Sequence, residues 1–450
     1  MMMYVIYGSS YTKYTGYQQT MDSDITAFHS HLIPMVAVYT QKNKIRLGEE
    51  MFQRLLLIFI IIMSFVVLTT TGVVVWSLRT YGGSLPTRIH AADTPPAWVA
   101  VTAAGELQYH HDGQTTVLRN DAVAQGYALP SIAPNGQQVL FVRQTTSIMA
   151  VAVISLVDGQ MLDLYTSDSE SPIGLQWSPN GRYVAFLLDS TGAAVVVPSD
   201  ASSTALTIAH GSPIYMDWSP DSAALLLHIG GIGRDGGVVG IYDVTTQKVM
   251  QTYNDPADFQ SPQWDAQGTG FYYVADPTPQ ADATIQPPAE IVHQMLDGTR
   301  TVIAQEGLAT VRLMRAPQGN AVAFIASRVD DRVLRVWAEG KLTTITTDAP
   351  LAAWWSPDAH QIAIITAVDD QQLRWNIVSL ADLQQRSLQA FTPSDMNVGY
   401  IRYFDAYRIS PWSRDGKWLL TVTTTIIQAQ VLDGGTMVPL GPGEFAVWAE

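Results

Sequence analysis

The sequence contains no cysteine. That absence excludes disulfides, thiolate metal ligands, a cysteine nucleophile and lipid attachment through cysteine. Charge is also scarce. Asp, Glu, Lys and Arg make up 14% of the chain, against about 25% in ordinary soluble domains. Basic residues are the scarcer sign, 25 against 40 acidic, for a net charge of −15. Residues 1–54 hold five basic and four acidic residues, so the remainder holds 20 and 36. A body of that charge repels phosphate backbones, and no nucleic-acid partner is expected. Several catalytic signatures are missing as well: G-x-S-x-G, G-x-x-x-x-G-K-[ST] and H-E-x-x-H do not occur. Gly231, Gly233 and Gly236 spell G-x-G-x-x-G, but "VVGIYDV" follows. A dinucleotide site needs a helix there, so "RDGG" reads as a hairpin tip. His110 and His111 are adjacent and point to opposite faces of a strand. The acidic clusters lack the Gly-centred spacing of a calcium loop. No metal and no cofactor is expected.

Long apolar runs are absent with one exception. "LLLIFIIIMSFVVLTTTGVVVWSL" fills residues 55–78, between Arg54 and Arg79, with 24 uncharged residues. As a helix it would rise about 36 Å, enough to cross a hydrocarbon core of about 30 Å with tilt. Lys42, Lys44, Arg46 and Arg54 precede it within 20 residues, and only Arg79 and Arg88 follow within 20. The positive-inside rule then places the N-terminus in the cytoplasm and the larger part outside the cell membrane. The expectation is an uncleaved signal anchor over 55–78. Residues 79–96, "RTYGGSLPTRIHAADTPP", read as a tether. Residues 1–54 are either a disordered cytoplasmic tail or an over-extended start, with initiation at Met51.

What the remaining chain, 97–450, has in plenty is one phrase. It reads "IAPNGQQVLFVR" at Pro134, "WSPNGRYVAFLL" at Pro179, "WSPDSAALLLHI" at Pro220, "WDAQGTGFYYVA" at Ala266, "RAPQGNAVAFIA" at Pro317, "WSPDAHQIAIIT" at Pro357 and "WSRDGKWLLTV" at Arg414. The steps are 45, 41, 46, 51, 40 and 57 residues. A period of this length, with surplus in loops, marks four-stranded blades. In each phrase Pro presets the first turn position, Asn or Asp suits the second, and Gly accepts a positive φ. The apolar run that follows suits a strand buried on both faces. The repeated Trp residues 177, 218, 264, 355 and 412 sit at one fixed place before the turn, which points to blade packing rather than ligand binding. The expected fold is therefore all-β, a propeller of seven or eight four-stranded blades preceded by one transmembrane helix. Eight is preferred, because 97–120 reads as three strands with no phrase before them and "EFAVWAE" at 444–450 as one orphan strand. Together they would close one blade.

The phrase resembles the repeats of TolB-like propellers, which are similar in architecture to WD-repeat proteins. Trp177–Phe186 matches best, while Ala266 and Arg414 depart at the Pro position. The resemblance covers about residues 97–450. It implies protein interaction at the cell envelope, and it admits a polysaccharide lyase or glycosidase with a site in the central channel.

With strands labelled A to D from the axis outward, the family geometry puts B–C and D–A connections on one face. Three long connections map there: 229–237, 276–290 and 392–407. The last carries Tyr400, Arg402, Tyr403, Phe404, Tyr407 and Arg408, which form the candidate binding surface for a protein or glycan ligand. "GYIRYF" within it also reads as an extra strand packed in the core. The functional expectation is a membrane-anchored, extracytoplasmic, non-enzymatic binding scaffold; the alternative is the channel enzyme.

Overall fold

The computed structural model describes residues 94–450 apart from 120–123, 231–236, 258–259, 278–288, 308–309, 329–330, 347, 425, 433–436 and 450. Residues 55–78, with the tail and most of the tether, lie outside the described residues. Among the described residues no helix is long and apolar enough to cross a membrane.

The chain folds into eight small antiparallel sheets, a β-propeller with eight blades. Blade 1 joins Phe445–Trp448, innermost, to Trp98–Val101, Leu107–His111 and Gln114–Arg119. Blades 2 to 7 each take four consecutive strands. Their innermost strands are Ala124–Ile132, Pro172–Trp177, Ile214–Trp218, Gln263–Trp264, Thr310–Arg315 and Ala352–Trp355. Blade 8 has three strands, Trp418–Val422, Ile427–Val431 and Met437–Gly441, and its inner strand is reduced to a single bridge, Trp412 to Leu419. The last strand of the chain thus pairs with the first, Trp98 opposite Trp448 and Val101 opposite Phe445, and closes the ring. The segment 380–391, which the sequence leaves open between helix and strands, ends in an outer strand, Gln385–Phe391.

The repeated phrase explains itself at atomic level. In blade 3 the Ser178 hydroxyl donates to Asn180 Oδ1 (2.9 Å), and that oxygen also accepts the Arg182 N–H (2.9 Å). The Ser178 oxygen in turn accepts the Tyr183 N–H (2.9 Å). The same three bonds recur at Ser219–Asp221, Ser356–Asp358 and Ser413–Asp415. A buried serine and a short polar residue two places on therefore satisfy a turn that would otherwise bury backbone donors. The fourth position of each of the seven turns is left-handed, with φ of 60 to 70° at Gly136, Gly181, Ser222, Gly268, Gly319, Ala359 and Gly416. Adjacent turns interlock: a Cβ at Gly268 would meet Pro220 Cδ at 3.4 Å, and the Asn180 N–H donates to Ser222 Oγ (3.0 Å).

The outer edges carry a second regularity. In every blade the pairing between the third and fourth strands is broken by a register shift. Bulges twist a strand away from regular pairing, so eight exposed edges are blunted against edge-to-edge association. The core lies between blades. One apolar cluster joins Leu313, Phe324 and Tyr272 of blades 5 and 6, and another joins Val142, Val184 and Phe186 of blades 2 and 3.

Candidate functional site

Residues 394–410 connect blade 7 to blade 8, and they enter the axial channel. The sequence allowed an exposed binding loop or an extra strand here. The structure has two short helices, α1 (Asp395–Arg402) and α2 (Phe404–Tyr407). Ser394 caps α1: its Oγ accepts the Asn397 N–H (3.2 Å), and Asp395 stands in the first turn. Its hydroxyl donates to the Glu444 carbonyl (3.0 Å), and Asn397 Nδ2 donates to the Val422 carbonyl (3.0 Å), which ties the top of the helix to blades 1 and 8. Arg408 ends α2 in the left-handed region, φ 53°.

The inner strands that receive this plug differ around the ring. The residue just before the Trp position marks the difference. On one side these residues are Gln176, Asp217 and Gln263, all buried. On the other they are Met314, Trp354, Pro411 and Val447. The plug divides its side chains to match. Tyr400 stacks on Phe445 (centroids 4.1 Å apart, 18° between planes), and Phe404 packs edge-on against Trp354 (5.4 Å, 61°). On the polar side Gln176 Nε2 donates to the Ala406 carbonyl (2.9 Å), and Arg312 donates to the Arg402 carbonyl. Arg408 Nη1 lies 2.6 Å from Asp217 Oδ1, and Asp217 Oδ2 accepts the Trp264 N–H (2.7 Å).

Asp405 is the most enclosed charge of the plug, its side chain 1% exposed, with Arg312 Nη1 3.9 Å away. Burial pushes its carboxyl above the usual range, and Arg312 and Arg408 pull it back only in part. Burial likewise lowers the Arg408 guanidinium, against the pull of Asp217. Among the described residues Asp405 Oδ1 and Arg408 Nε and Nη2 are enclosed without a hydrogen-bond partner. The apolar side is unfinished too: a cavity of about 40 Å³ stays open beside Trp354, Ile401, Phe404 and Leu420.

The six residues singled out from the sequence are thus brought into one segment but not onto one surface. Tyr400 and Phe404 are buried, because the aromatic faces fill the channel. Arg402 is exposed, and Tyr403, Tyr407 and Arg408 are half-buried. The long connections at 229–237 and 276–290 fall largely outside the described residues. Gln176, Asp217, Gln263, Arg312 and Asp405 were missed. For the first three the signal was the register: the position before Trp reads Gln, Asp and Gln in three successive blades.

Two other features bound the choice of site. A groove of about 890 Å³ lies between blades 3 and 4, but the Asn180 side-chain oxygen and the Ser199 hydroxyl on its wall are bonded within their own blade. Asp265 and His293 pair at 3.2 Å in blade 5. Burial would raise the Asp265 carboxyl, but bonds from His293 and Thr269 outweigh it and hold it below the ordinary value. His293 stacks on Tyr272 (4.4 Å), and no third partner completes a nucleophilic set among the described residues. No cluster of three or more metal-ligating side chains occurs among the described residues either.

No protein-family model matches the chain, and no curated protein matches it. Solved structures do resemble it. A eukaryotic initiation factor shares 10% identity over 79% of this chain and 99% of that one, with a TM-score of 0.51. The C-terminal WD40 domain of Sif2 shares 13% over 70% and 84%, with a TM-score of 0.47. TolB from Acinetobacter baumannii shares 12% over 65% and 62%, with a TM-score of 0.35. At 10% identity the likeness to the initiation factor is one of fold alone.

Proposed function

We propose that this propeller is a non-enzymatic binding scaffold, held outside the cell membrane by residues 55–78, which takes a protein or glycan ligand on the face of its D–A and B–C connections. The observation that carries the reading is the filled axis. A propeller enzyme of the kind the resemblance admits needs convergent ionisable groups open to substrate. Here Asp217 and Arg408 pair with each other, and Arg312 is committed to the plug. What faces solvent above the plug is Arg402, with Tyr403 half-buried beside it. An amphipathic aromatic next to a guanidinium is common interface chemistry.

The test is site-specific photo-crosslinking in intact cells. A crosslinker at Tyr403 should give a discrete adduct. The same group at Met250, exposed on the outer strand of blade 4, should give none. An adduct at 250 alone would overturn the reading, as would turnover of a polysaccharide by the purified protein. Surface proteolysis of whole cells checks the topology: cleavage within the propeller is expected, and protection would put it on the other side.

A further inference from the structure

At the seam between plug and wall, Asp405 Oδ1 and Arg408 Nε and Nη2 go unmatched among the described residues, and apolar space goes unfilled. Both kinds of defect occur along one 17-residue connection, 394–410, and the blades it joins are closed without it. The wall on the polar side grips the plug in a particular way. Gln176 and Arg312 reach main-chain carbonyls, at Ala406 and Arg402, which every peptide offers. Asp217 reaches one basic side chain, Arg408. The arc therefore reads a peptide backbone plus one cation.

We propose that residues 394–410 are a displaceable plug, a ligand held in cis, and that the channel accepts in its place a partner's peptide segment bearing one basic side chain. The proposal rests on the scaffold reading and gives its partner a chemistry. Asp217 dictates that chemistry. Its carboxylate is 1% exposed, and one oxygen is already taken by the Trp264 N–H. With the plug withdrawn, an occupant that covers the other oxygen again without a cation would make it a buried charge lacking a counterion, a state that proteins avoid at large cost. Any occupant must return a cation to that spot. An acidic or neutral peptide would leave it bare.

Two measurements decide the matter. The first is amide exchange on the intact full chain. The Val398 and Tyr403 amides are bonded within the plug, to Ser394 and Gly399, and should open as a unit without the ring. They should exchange about 100-fold faster than the inner amides of blade 3; equal protection overturns the proposal. The second uses a fluorescent synthetic copy of residues 394–410 as probe. A variant with 395–408 replaced by a Gly-Ser linker should bind it, and a probe carrying Arg408→Ala should bind at least about tenfold more weakly. Adding Asp217→Ala to the linker variant should abolish binding. A folded linker variant that ignores the probe overturns the proposal. Should that variant not fold, the full chain with Arg408→Ala takes its place, since its plug has lost the ionic anchor; no uptake of the probe there is equally fatal. Neither measurement involves a cellular partner. A silent crosslinker at Tyr403 therefore tells against the scaffold reading, and a locked plug tells only against this one.

Discussion

Six of the eight seams of the ring use two different devices, in two arcs of three consecutive seams each, and a long indole bond from Trp177 to the Ser131 carbonyl (3.5 Å) spans blades 2 and 3. Between blades 6 and 7, 7 and 8, and 8 and 1, an indole reaches back to the preceding blade. Trp355 donates to the Met314 carbonyl (3.0 Å), Trp412 to Trp354 (3.2 Å) and Trp448 to Pro411 (2.8 Å). Between blades 3 and 4, 4 and 5, and 5 and 6, a side chain reaches forward instead. Gln176 donates to the Met216 carbonyl (3.1 Å), Asp217 accepts the Trp264 N–H and Gln263 accepts the Arg315 N–H (3.1 Å). In that arc the indoles of Trp218 and Trp264 have no partner among the described residues. The difference is instructive. An indole bonded to a backbone carbonyl leaves the acceptor residue free to be apolar, so Trp354 and Pro411 can line the cavity beside the plug and Met314 can pack between blades 6 and 7. A forward bond needs a polar side chain at that same place. The choice of seam thus decides the polarity of the channel wall, and the plug is built to suit both halves.

The most damaging way to break this comparison is at Asp217. It serves the seam and the plug together, through the Trp264 N–H and Arg408. Asp217→Ala leaves a buried guanidinium unpaired and should cost about 3–5 kcal/mol. Gln263→Ala removes only a neutral acceptor from one amide and should cost about 1–3 kcal/mol. Urea denaturation of both variants checks the ranking. Equal losses would mean that the plug contributes nothing at Asp217.

Asp405 sharpens the same contrast through pH. Its folded pKa is raised, so the folded state holds its proton more tightly than the unfolded state does. Stability from this group is greatest below the unfolded carboxyl value, near 3.9, and declines as pH rises through the folded one. Asp405→Asn should therefore raise the melting temperature at pH 7, by an amount that shrinks as the pH falls toward 4. A loss of stability at pH 7 would show that Arg312 and Arg408 hold the carboxylate more firmly than burial opposes it.

Much of this architecture was legible before any coordinates. Pro, Asn or Asp, and Gly at fixed offsets encode a local turn, so the phrase gave the period. The orphan strands at both ends gave the closure and the eighth blade. The blade-packing role of Trp355 and Trp412 followed from their constant place. The plug was harder. Ser394 and Asp395 do spell a helix start, but α1 is eight residues long and carries Gly399 and an aromatic run, too little for a helical period to stand out. Its burial depends on residues more than 200 positions away, such as Gln176, and local pattern is silent about such contacts. Arg408 read as part of an exposed binding surface, and Asp405 drew no reading, for the same reason.

One substitution made in both arcs tests the seam idea more gently. Trp448→Phe removes an N–H that is bonded to Pro411 and should cost about 1 kcal/mol beyond the change in packing. Trp218→Phe removes an N–H with no partner among the described residues, so the hydrogen-bond part of its cost should vanish. Phe is smaller than Trp at both places, so packing losses largely cancel in the comparison. If the two variants melt together, the indole bonds are not what ties the closing arc.

The smallest expected effect lies in the turns that both arcs share. Five of the seven left-handed turn positions are Gly, and the other two are Ser222 and Ala359. A side chain in that region costs about 1–2 kcal/mol, because its Cβ crowds the following carbonyl. Ala359→Gly should relieve that strain, but it also frees the unfolded chain, at a cost of about 0.4–1 kcal/mol. The net is a gain of about 1 kcal/mol or less, readable as a small rise in melting temperature. Ser222→Gly removes the same strain but also the Ser222 oxygen that accepts the Asn180 N–H from the neighbouring blade. It should gain less than Ala359→Gly, or lose. The order of these two variants separates local turn strain from the bond that interlocks one blade with the next. If Ser222→Gly proves the more stable of the pair, the turn interlock between blades 3 and 4 contributes nothing, and that seam is left to Gln176.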